Sequence, residues 1–261
     1  MDEIRVSTWA ELQEQLFADS WNEQLGRHRS NFAFRGRWDA DDTLSTSLMK
    51  LGGDAPSLEG HLVRSFRKYA ARESVPVDSL WNWLALGQHH GLPTRMLDWT
   101  YSPYVALHFV TAKTECFDRD GAVWMVDYVR AHEHVPEALR RRLRSEGANV
   151  FTTEMLGSVA DGVDELEQLG NDFVVFLEAP SFDERIVNQY ALFSLMSEPD
   201  ASLDEWLSGR PELGRRLIVP ADLKWEVRDK LDQAGVNERV LFPGLDGLTR
   251  WVARYYAPRR R

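Results

Sequence analysis

The spacing of hydrophobic residues along the chain predicts helices in several places. In "PSLEGHLVRSFRKYAARE" the apolar residues fall three or four positions apart, as they do on one face of a helix. The stretch "STWAELQEQLFADSW" shows the same spacing after a capping box formed by Thr8 and Glu11. Ser102 and Pro103 are favourable as the N-cap and first residue of another helix. Further helices are predicted in "SLWNWLALGQHHG", "ADLKWEVRDKLDQAG" and "DGLTRWVARYY".

Other hydrophobic runs predict strands. "NFAFRGRW" alternates around Phe32 and Phe34 and is expected to break at Gly36. "GAVWMVDY", "NDFVVFLEAP" and "RRLIVPA" are short apolar runs typical of buried strands, whereas the polar segment "TTEMLGSVADGVDELEQLGND" is predicted to be a surface insertion. Helices and strands do not alternate strictly, so we expect an α+β fold: a single domain with a small mixed or antiparallel sheet decorated by helices.

Composition indicates a folded protein that does not enter a membrane. Of the 261 residues, 43% are hydrophobic and 28% are charged, and ten are Trp. No apolar run approaches the roughly 18 residues of a membrane span. The acidic, amphipathic start of the chain is unlike a signal peptide, and the single Cys116 fits a reducing compartment. The expected location is the cytoplasm.

Charge and motif content exclude several functional classes. The net charge of −10 argues against broad binding to a phosphate backbone, although "LRRRLR" and the terminal "PRRR" leave open a nuclease-like or nucleic-acid-binding function. A solvated helix face and a frayed tail are the favoured interpretation of these two clusters. The chain has no phosphate loop, dinucleotide glycine fingerprint or paired zinc ligands, so no metal site is predicted.

Polar residues inside apolar stretches mark the candidate site. Arg35 lies in a predicted strand, where its guanidinium must be paired or must anchor an anion, and Gly36 allows a backbone or a ligand to approach closely. Alternatively, the stem of Arg35 covers the sheet while its head reaches solvent. In "ERIVNQYALFSL", Gln189 interrupts an apolar run, and Glu178 ends another. Each of these two could face a pocket or the surface.

The stretch "QHHGLPTRMLDWT" combines Gly and Pro with titratable and hydrogen-bonding groups. It offers His90, Arg95 and Asp98, and it ends at Thr100 just before a helix. A hydroxyl near a helix N-terminus can bind a phosphate or a ribose. The alternative is a structural bridge in which Asp98 pairs with Arg95 or Arg35.

Three stretches resemble the FRG family, which is named for a Phe-Arg-Gly motif. They are "FAFRGR", "LALGQHHGLPTRMLDWTYSPYVALHFV" and "ERIVNQYALF". The resemblance implies a single FRG-type domain over residues 1–261, with a core at about 31–195, a helical N-terminal lead-in and a C-terminal extension. The pair Tyr190–Ala191 departs from the family pattern, in which a small Gly-containing turn is expected after the Gln. The family is widespread in bacteria and phages.

The order of the same residues resembles that of ADP-ribosyltransferases. These enzymes bind NAD with an Arg on an early strand, a Ser/Thr strand before a helix, and a Glu or Gln on a later strand. Arg35, the stretch 94–100 and Gln189 follow that order, although Leu-Asp-Trp-Thr replaces the Ser-Thr-Ser of the transferases and Gln stands at the last position. The resemblance implies that Arg35 and Gln189 are catalytic together with a carboxylate, Glu178 or Asp98. It implies that NAD, as the substrate, is bound by Arg35, Gly36, His90, Thr94, Arg95, Trp99 and Thr100.

Further roles follow from the same resemblance. Trp99 or Tyr101 would stack on the nicotinamide ring, and His89 or His90 would orient the acceptor. Gln189 would bond a ribose hydroxyl, but a neutral amide cannot deprotonate the acceptor, so another group must do so.

Two functions are therefore expected from the sequence. The first is an NAD-consuming ADP-ribosyltransferase-like enzyme, a bacterial toxin or phage-defence effector that acts on a protein or nucleic-acid acceptor and has an antitoxin or immunity partner. The alternative is a non-catalytic module that binds a nucleotide or a partner.

Overall fold

An eight-stranded sheet runs through the centre of the protein, in a computed structural model that describes residues 1–71 and 74–259. A separate two-stranded hairpin lies outside this sheet. The strands in the described residues are β1 (Asp2–Arg5), β2 (Trp21–Asn22), β3 (Arg27–His28), β4 (Phe32–Arg37), β5 (Met96–Thr100), β6 (Gly121–Asp127), β7 (Phe151–Thr152), β8 (Val174–Glu178), β9 (Ala191–Met196) and β10 (Gly214–Val219).

The sheet has the order β1-β10-β6-β4-β5-β9-β8-β7. The two outermost pairs, β1 with β10 and β7 with β8, are parallel, and all other neighbouring strands are antiparallel. This arrangement confirms the predicted α+β class and the mixed, mainly antiparallel sheet, although eight strands make it larger than the small sheet expected.

Helices surround the sheet. The α-helices of the described residues are α1 (Trp9–Phe17), α2 (Ser47–Leu51), α3 (Ala55–Tyr69), α4 (Leu80–His89), α5 (Pro103–Val110), α6 (Tyr128–Ala131), α7 (Glu137–Glu146), α8 (Thr153–Gly157), α9 (Val163–Gln168), α10 (Glu184–Asn188), α11 (Leu203–Ser208), α12 (Lys224–Gln233), α13 (Glu238–Leu241) and α14 (Leu245–Tyr255). None of these helices is both long enough and apolar enough to cross a membrane.

β6, β8 and β9 are buried on both faces along nearly their whole length, which explains their continuous apolar runs. In β8, Val174 and Phe176 pack into one hydrophobic cluster, whereas Val175 and Leu177 pack into another on the opposite face. Helices supply many of the other side chains of the clusters on both faces, so the sheet is the middle layer of the fold.

The predicted helix starts are confirmed by their caps. The Thr8 hydroxyl accepts a hydrogen bond from the Glu11 amide at 3.2 Å, and the Glu11 carboxylate accepts one from the Ser7 amide at 2.7 Å. The Ser102 hydroxyl caps α5 by accepting from the Val105 amide at 3.4 Å. Local side-chain chemistry therefore determines where these two helices begin.

β4 does not break at Gly36 as the sequence suggested, but continues to Arg37. Gly36 is required for a different reason, because α5 packs directly on this strand. A Cβ atom added at Gly36 would lie 1.8 Å from the backbone oxygen of Ala106 in α5. The glycine therefore permits a close approach of helix to strand. Close approach of another backbone was one of the two expectations for this position.

The polar segment after β7 is not a surface insertion. It forms α8 and α9, and Met155, Leu156 and Leu166 are buried in a main hydrophobic cluster. The "LRRRLR" stretch lies on α7, where Leu139 and Leu143 are buried and Arg141 and Arg144 are exposed, as expected of a solvated helix face. In the terminal "PRRR", residues 260 and 261 lie outside the described residues.

Candidate functional site

The central sheet divides between β4 and β5, and a cleft opens there. β4 pairs with β6 along its whole length, and β5 does the same with β9, but β4 and β5 share only the pair Phe34 and Thr100. Beyond that pair the two strands separate around a cavity of about 540 Å³. Its walls include residues 34–37, 88–92 and 98–100, together with Ser47, Phe109, Arg185, Gln189, Ala191 and Phe193.

Arg35 spans the gap between the separated strands. Its Nη1 atom donates a hydrogen bond to the backbone oxygen of Asp98 at 2.5 Å and lies 3.9 Å from the Asp98 carboxylate. The Arg35 side chain is only 14% exposed, and burial lowers its pKa to about 10, so it stays charged at neutral pH. Its Nε atom is buried without a hydrogen-bond partner among the described residues. The guanidinium is thus held in place, but not all of its hydrogen-bond donors have partners among the described residues.

Two further arginines border the cleft. Arg37 pairs with Asp42, and Arg185 donates from Nη1 to the backbone oxygen of His89 at 3.3 Å while lying over the ring of Phe242. Neither Arg37 Nε nor Arg185 Nε has a hydrogen-bond partner within the described part of the chain, although both atoms are buried.

The cleft therefore differs in charge from the rest of the molecule. Its described walls contain three arginines but only one carboxylate, that of Asp98, in a chain whose net charge is −10. Buried donors without partners and an excess of positive charge favour an anionic ligand.

The Asp98 carboxylate is oriented by a chain of hydrogen bonds. Gln88 Nε2 donates to Asp98 at 2.9 Å, and Gln88 Oε1 accepts from the Thr94 hydroxyl at 2.6 Å. Asp98 itself is exposed to the cleft, as is His90. Thr94 therefore acts behind the cleft: it is fully buried and cannot contact a ligand, which corrects its predicted role.

Thr100 and Gln189 connect β5 to the opposite wall. The Thr100 hydroxyl donates to the Gln189 backbone oxygen at 2.7 Å, and Gln189 Nε2 donates to the Leu241 backbone oxygen at 2.9 Å. Gln189 lines the cleft from the end of α10 rather than from a strand, because β9 begins at Ala191. The next residue, Tyr190, has a φ of 48°, a conformation that favours glycine, at the position where a glycine turn was expected.

Arg95 is a structural residue and not a ligand-binding one. Its side chain is buried away from the cleft, where Nε donates to Glu59 at 2.6 Å and Nη1 donates to Glu167 at 2.9 Å and to the Ser197 backbone oxygen at 3.1 Å. These bonds satisfy the buried charge, so Arg95 braces β5 against α3 and α9.

Trp99, Tyr101 and Glu178 are not placed as their predicted roles beside Arg35 require. Trp99 borders the cleft, but it is only 2% exposed, and its ring packs against Phe176 while Nε1 donates to the Ser194 hydroxyl at 2.8 Å. Glu178 does not border the cleft and accepts a hydrogen bond from Tyr101 at 2.8 Å. Burial and this bond raise the pKa of Tyr101. Neither stacking by Trp99 or Tyr101 nor catalysis by Glu178 fits these positions.

Sequence reasoning missed Arg37, Arg185 and Gln88. Arg37 could have been found, because it stands two residues after Arg35 in a strand and so projects from the same face. Arg185 and Gln88 reach the cleft from helices whose placement depends on the tertiary fold, and no local pattern signals this.

The FRG resemblance is the part of the sequence interpretation that comparison with known proteins supports. Residues 30–119 match the family model of the FRG domain, and they contain Arg35, Gln88 and Asp98. No curated protein and no solved structure matches the chain. The wider extent expected from the sequence, with a core reaching residue 195, stays a prediction. Over residues 30–119, about a third of its length, the chain is therefore similar to the FRG domain family.

Proposed function

We propose that the chain is an NAD-consuming enzyme of the ADP-ribosyltransferase type, and that the cleft between β4 and β5 holds the NAD molecule. The observation that carries the proposal is the placement of Arg35, a buried, charged and partly unsatisfied guanidinium at the point where the sheet divides. A guanidinium is well suited to a diphosphate, because its planar donors match phosphate oxygens. A cavity of about 540 Å³ falls within the range of about 300–1,000 Å³ typical of small-molecule sites.

The cleft also supplies a carboxylate for the bond-breaking step. Cleavage of the bond between nicotinamide and ribose places positive charge on the ribose, which a fixed negative group stabilises. Asp98 is the carboxylate of the described cleft walls, and Gln88 and Thr94 hold it in orientation. We therefore assign this role to Asp98 in place of Glu178, with Arg35 holding the anionic part of the substrate.

The direct test is turnover of NAD by the purified protein. We expect release of nicotinamide by the wild type and a loss of about 100-fold or more in the Arg35→Ala variant. Arg141→Ala is the matched control, because Arg141 is exposed on α7 and does not border the cleft. Equal turnover by wild type and Arg35→Ala would contradict the proposal.

A second candidate is a non-catalytic module that binds a nucleotide. Gln189 favours this second function. Its neutral side-chain amide is hydrogen-bonded to the Leu241 backbone oxygen, so Gln189 cannot act as an acid or a base in a reaction. Calorimetric titration with NAD separates the two functions: a binding module gives heat without nicotinamide, whereas an enzyme gives both.

The biological role of the activity is part of the same proposal. The occurrence of the family in bacteria and phages supports a toxin or phage-defence effector with a protein or nucleic-acid acceptor and an antitoxin partner. A location in the cytoplasm, which the single Cys116 favours, would give the cleft access to NAD. Expression in bacteria should arrest growth for the wild type and not for Arg35→Ala.

A further inference from the structure

A histidine and an aspartate meet at the wall of the cleft. His89 is the last residue of α4, and its Nε2 lies 2.7 Å from Oδ2 of Asp183. The other carboxylate oxygen of Asp183 caps α10 by accepting from the Ile186 amide at 3.1 Å. One carboxylate therefore orients both a helix and an imidazole, while Arg185 holds the backbone of His89 from the same helix.

The contact with Asp183 determines which nitrogen of His89 is free. Nε2 carries the proton when it donates to the carboxylate, so the lone pair of the neutral ring is on Nδ1. Nδ1 has no hydrogen-bond partner among the residues that the structure describes, and His89 borders the cleft. The side chain is only 6% exposed, so its orientation is held by packing as well.

Burial is the main reason that this imidazole is neutral. Burial lowers the pKa of His89, and the neighbouring Arg185 and His90 act in the same direction, whereas Asp183 partly offsets the shift. The pKa of Asp183 is lowered, because its hydrogen bonds from His89 and from the backbone of α10 outweigh its partial burial. At neutral pH the pair is thus a neutral base beside an ionised carboxylate.

We propose that His89 is the proton acceptor for a hydroxyl nucleophile that attacks the ribose in the cleft, and that Asp183 is its positioning residue. This inference rests on the proposed function and names the chemistry of the acceptor, a neutral O–H group such as that of water, a side chain or a sugar. The group is needed because Gln189 cannot take a proton and Asp98 is assigned to the ribose cation.

The step balances in atoms and charge. The bond between the ribose carbon and the nicotinamide nitrogen breaks, and its electron pair leaves with nicotinamide, which becomes neutral. The acceptor oxygen forms the new bond to the same carbon, and its proton moves to Nδ1 of His89. The resulting imidazolium is stabilised by the Asp183 carboxylate at Nε2.

The test uses water as the acceptor and measures NAD affinity and nicotinamide release separately. His89→Asn should bind NAD within about twofold of the wild type, but its kcat should be lower by about 100-fold or more. The wild-type kcat should rise with pH through an apparent pKa below 6.5 and then level off. Asp183→Asn should lower kcat and shift that pKa downward, because the carboxylate raises it. His61→Asn, an exposed change on α3, is the control.

Three outcomes separate the proposals. If the wild type releases nicotinamide and His89→Asn keeps its kcat and pH profile, the dyad has no catalytic role and the proposed function stands. If His89→Asn loses NAD binding while its unfolding midpoint is unchanged, His89 contacts the ligand and is not the base. If the wild type binds no NAD or releases no nicotinamide, the proposed function and the dyad are both overturned.

Discussion

Replacing Gly36 with alanine tests the packing that forms one wall of the cleft. The added Cβ would lie 1.8 Å from the backbone oxygen and 2.8 Å from the backbone carbon of Ala106. A backbone group cannot rotate away as a side chain can, so α5 or β4 must move. Overpacking of this kind costs up to about 3 kcal/mol or somewhat more. We therefore expect Gly36→Ala to lower the free energy of unfolding by about 3 kcal/mol.

Urea unfolding followed by tryptophan fluorescence measures this loss. With an m value of about 2 kcal/mol/M, the unfolding midpoint should fall by about 1.5 M. Gly60→Ala is the matched control, since Gly60 is exposed on α3 and, apart from its chain neighbours and the backbone of its own helix, no atom of the described residues lies within 4 Å of its added Cβ. That substitution should stabilise the protein by about 0.5–1 kcal/mol through helix propensity. A Gly36→Ala protein with the wild-type midpoint would refute the close approach of α5.

Three further predictions concern stability. Tyr190 has a φ of 48° and is 62% exposed, so Tyr190→Gly should raise the free energy of unfolding by about 1 kcal/mol in urea; no gain would argue against strain there. His132 accepts a hydrogen bond from the Phe176 amide, and burial lowers its pKa from 6.5 to about 4. Neutral His132 contributes about 3 kcal/mol to the free energy of unfolding above pH 6.5, and this contribution is lost as the pH falls to 4. An equal free energy of unfolding at pH 6.5 and pH 4 would contradict this. Glu59→Ala should cost about 3 kcal/mol, because it removes a partner of buried Arg95, and adding Arg95→Met should restore part of that loss in the same urea assay.

The parts of the fold that were predicted correctly are those with local causes. The caps formed by Thr8 and Ser102 act within three residues, and the period of α3 is visible in one short stretch. The buried strands β6 and β8 follow from runs of apolar residues between turns. None of these features depends on which distant segment packs against them.

The errors concern polar residues whose partners are distant in sequence. Arg95 looked like a ligand-binding residue because its partner Glu59 is 36 positions away and gives no local signal. Gly36 suggested a break because the helix that fills its free space lies far along the chain. Trp99 could have been assigned better, since it follows Asp98 in a strand and so must project from the opposite face.

The sequence predicted individual residues of the cleft but not the cleft itself. Arg35, Asp98 and Gln189 were selected as single residues, and the structure brings all three to one cavity. The division of the sheet that creates this cavity depends on the pairing of β4 with β6 and of β5 with β9, which no residue pattern specifies.

The central claim is that Arg35 binds an anionic dinucleotide in the cleft, and a calorimetric titration of NAD tests it most directly. We expect saturable binding to the wild type that weakens as salt is raised, because the contact is electrostatic. Arg35→Ala should bind at least about tenfold more weakly, since a hydrogen bond to a charged group contributes about 1.5–3 kcal/mol, while Arg141→Ala binds as the wild type does. Undetectable binding by the wild type, or equal affinity of Arg35→Ala, would contradict the account.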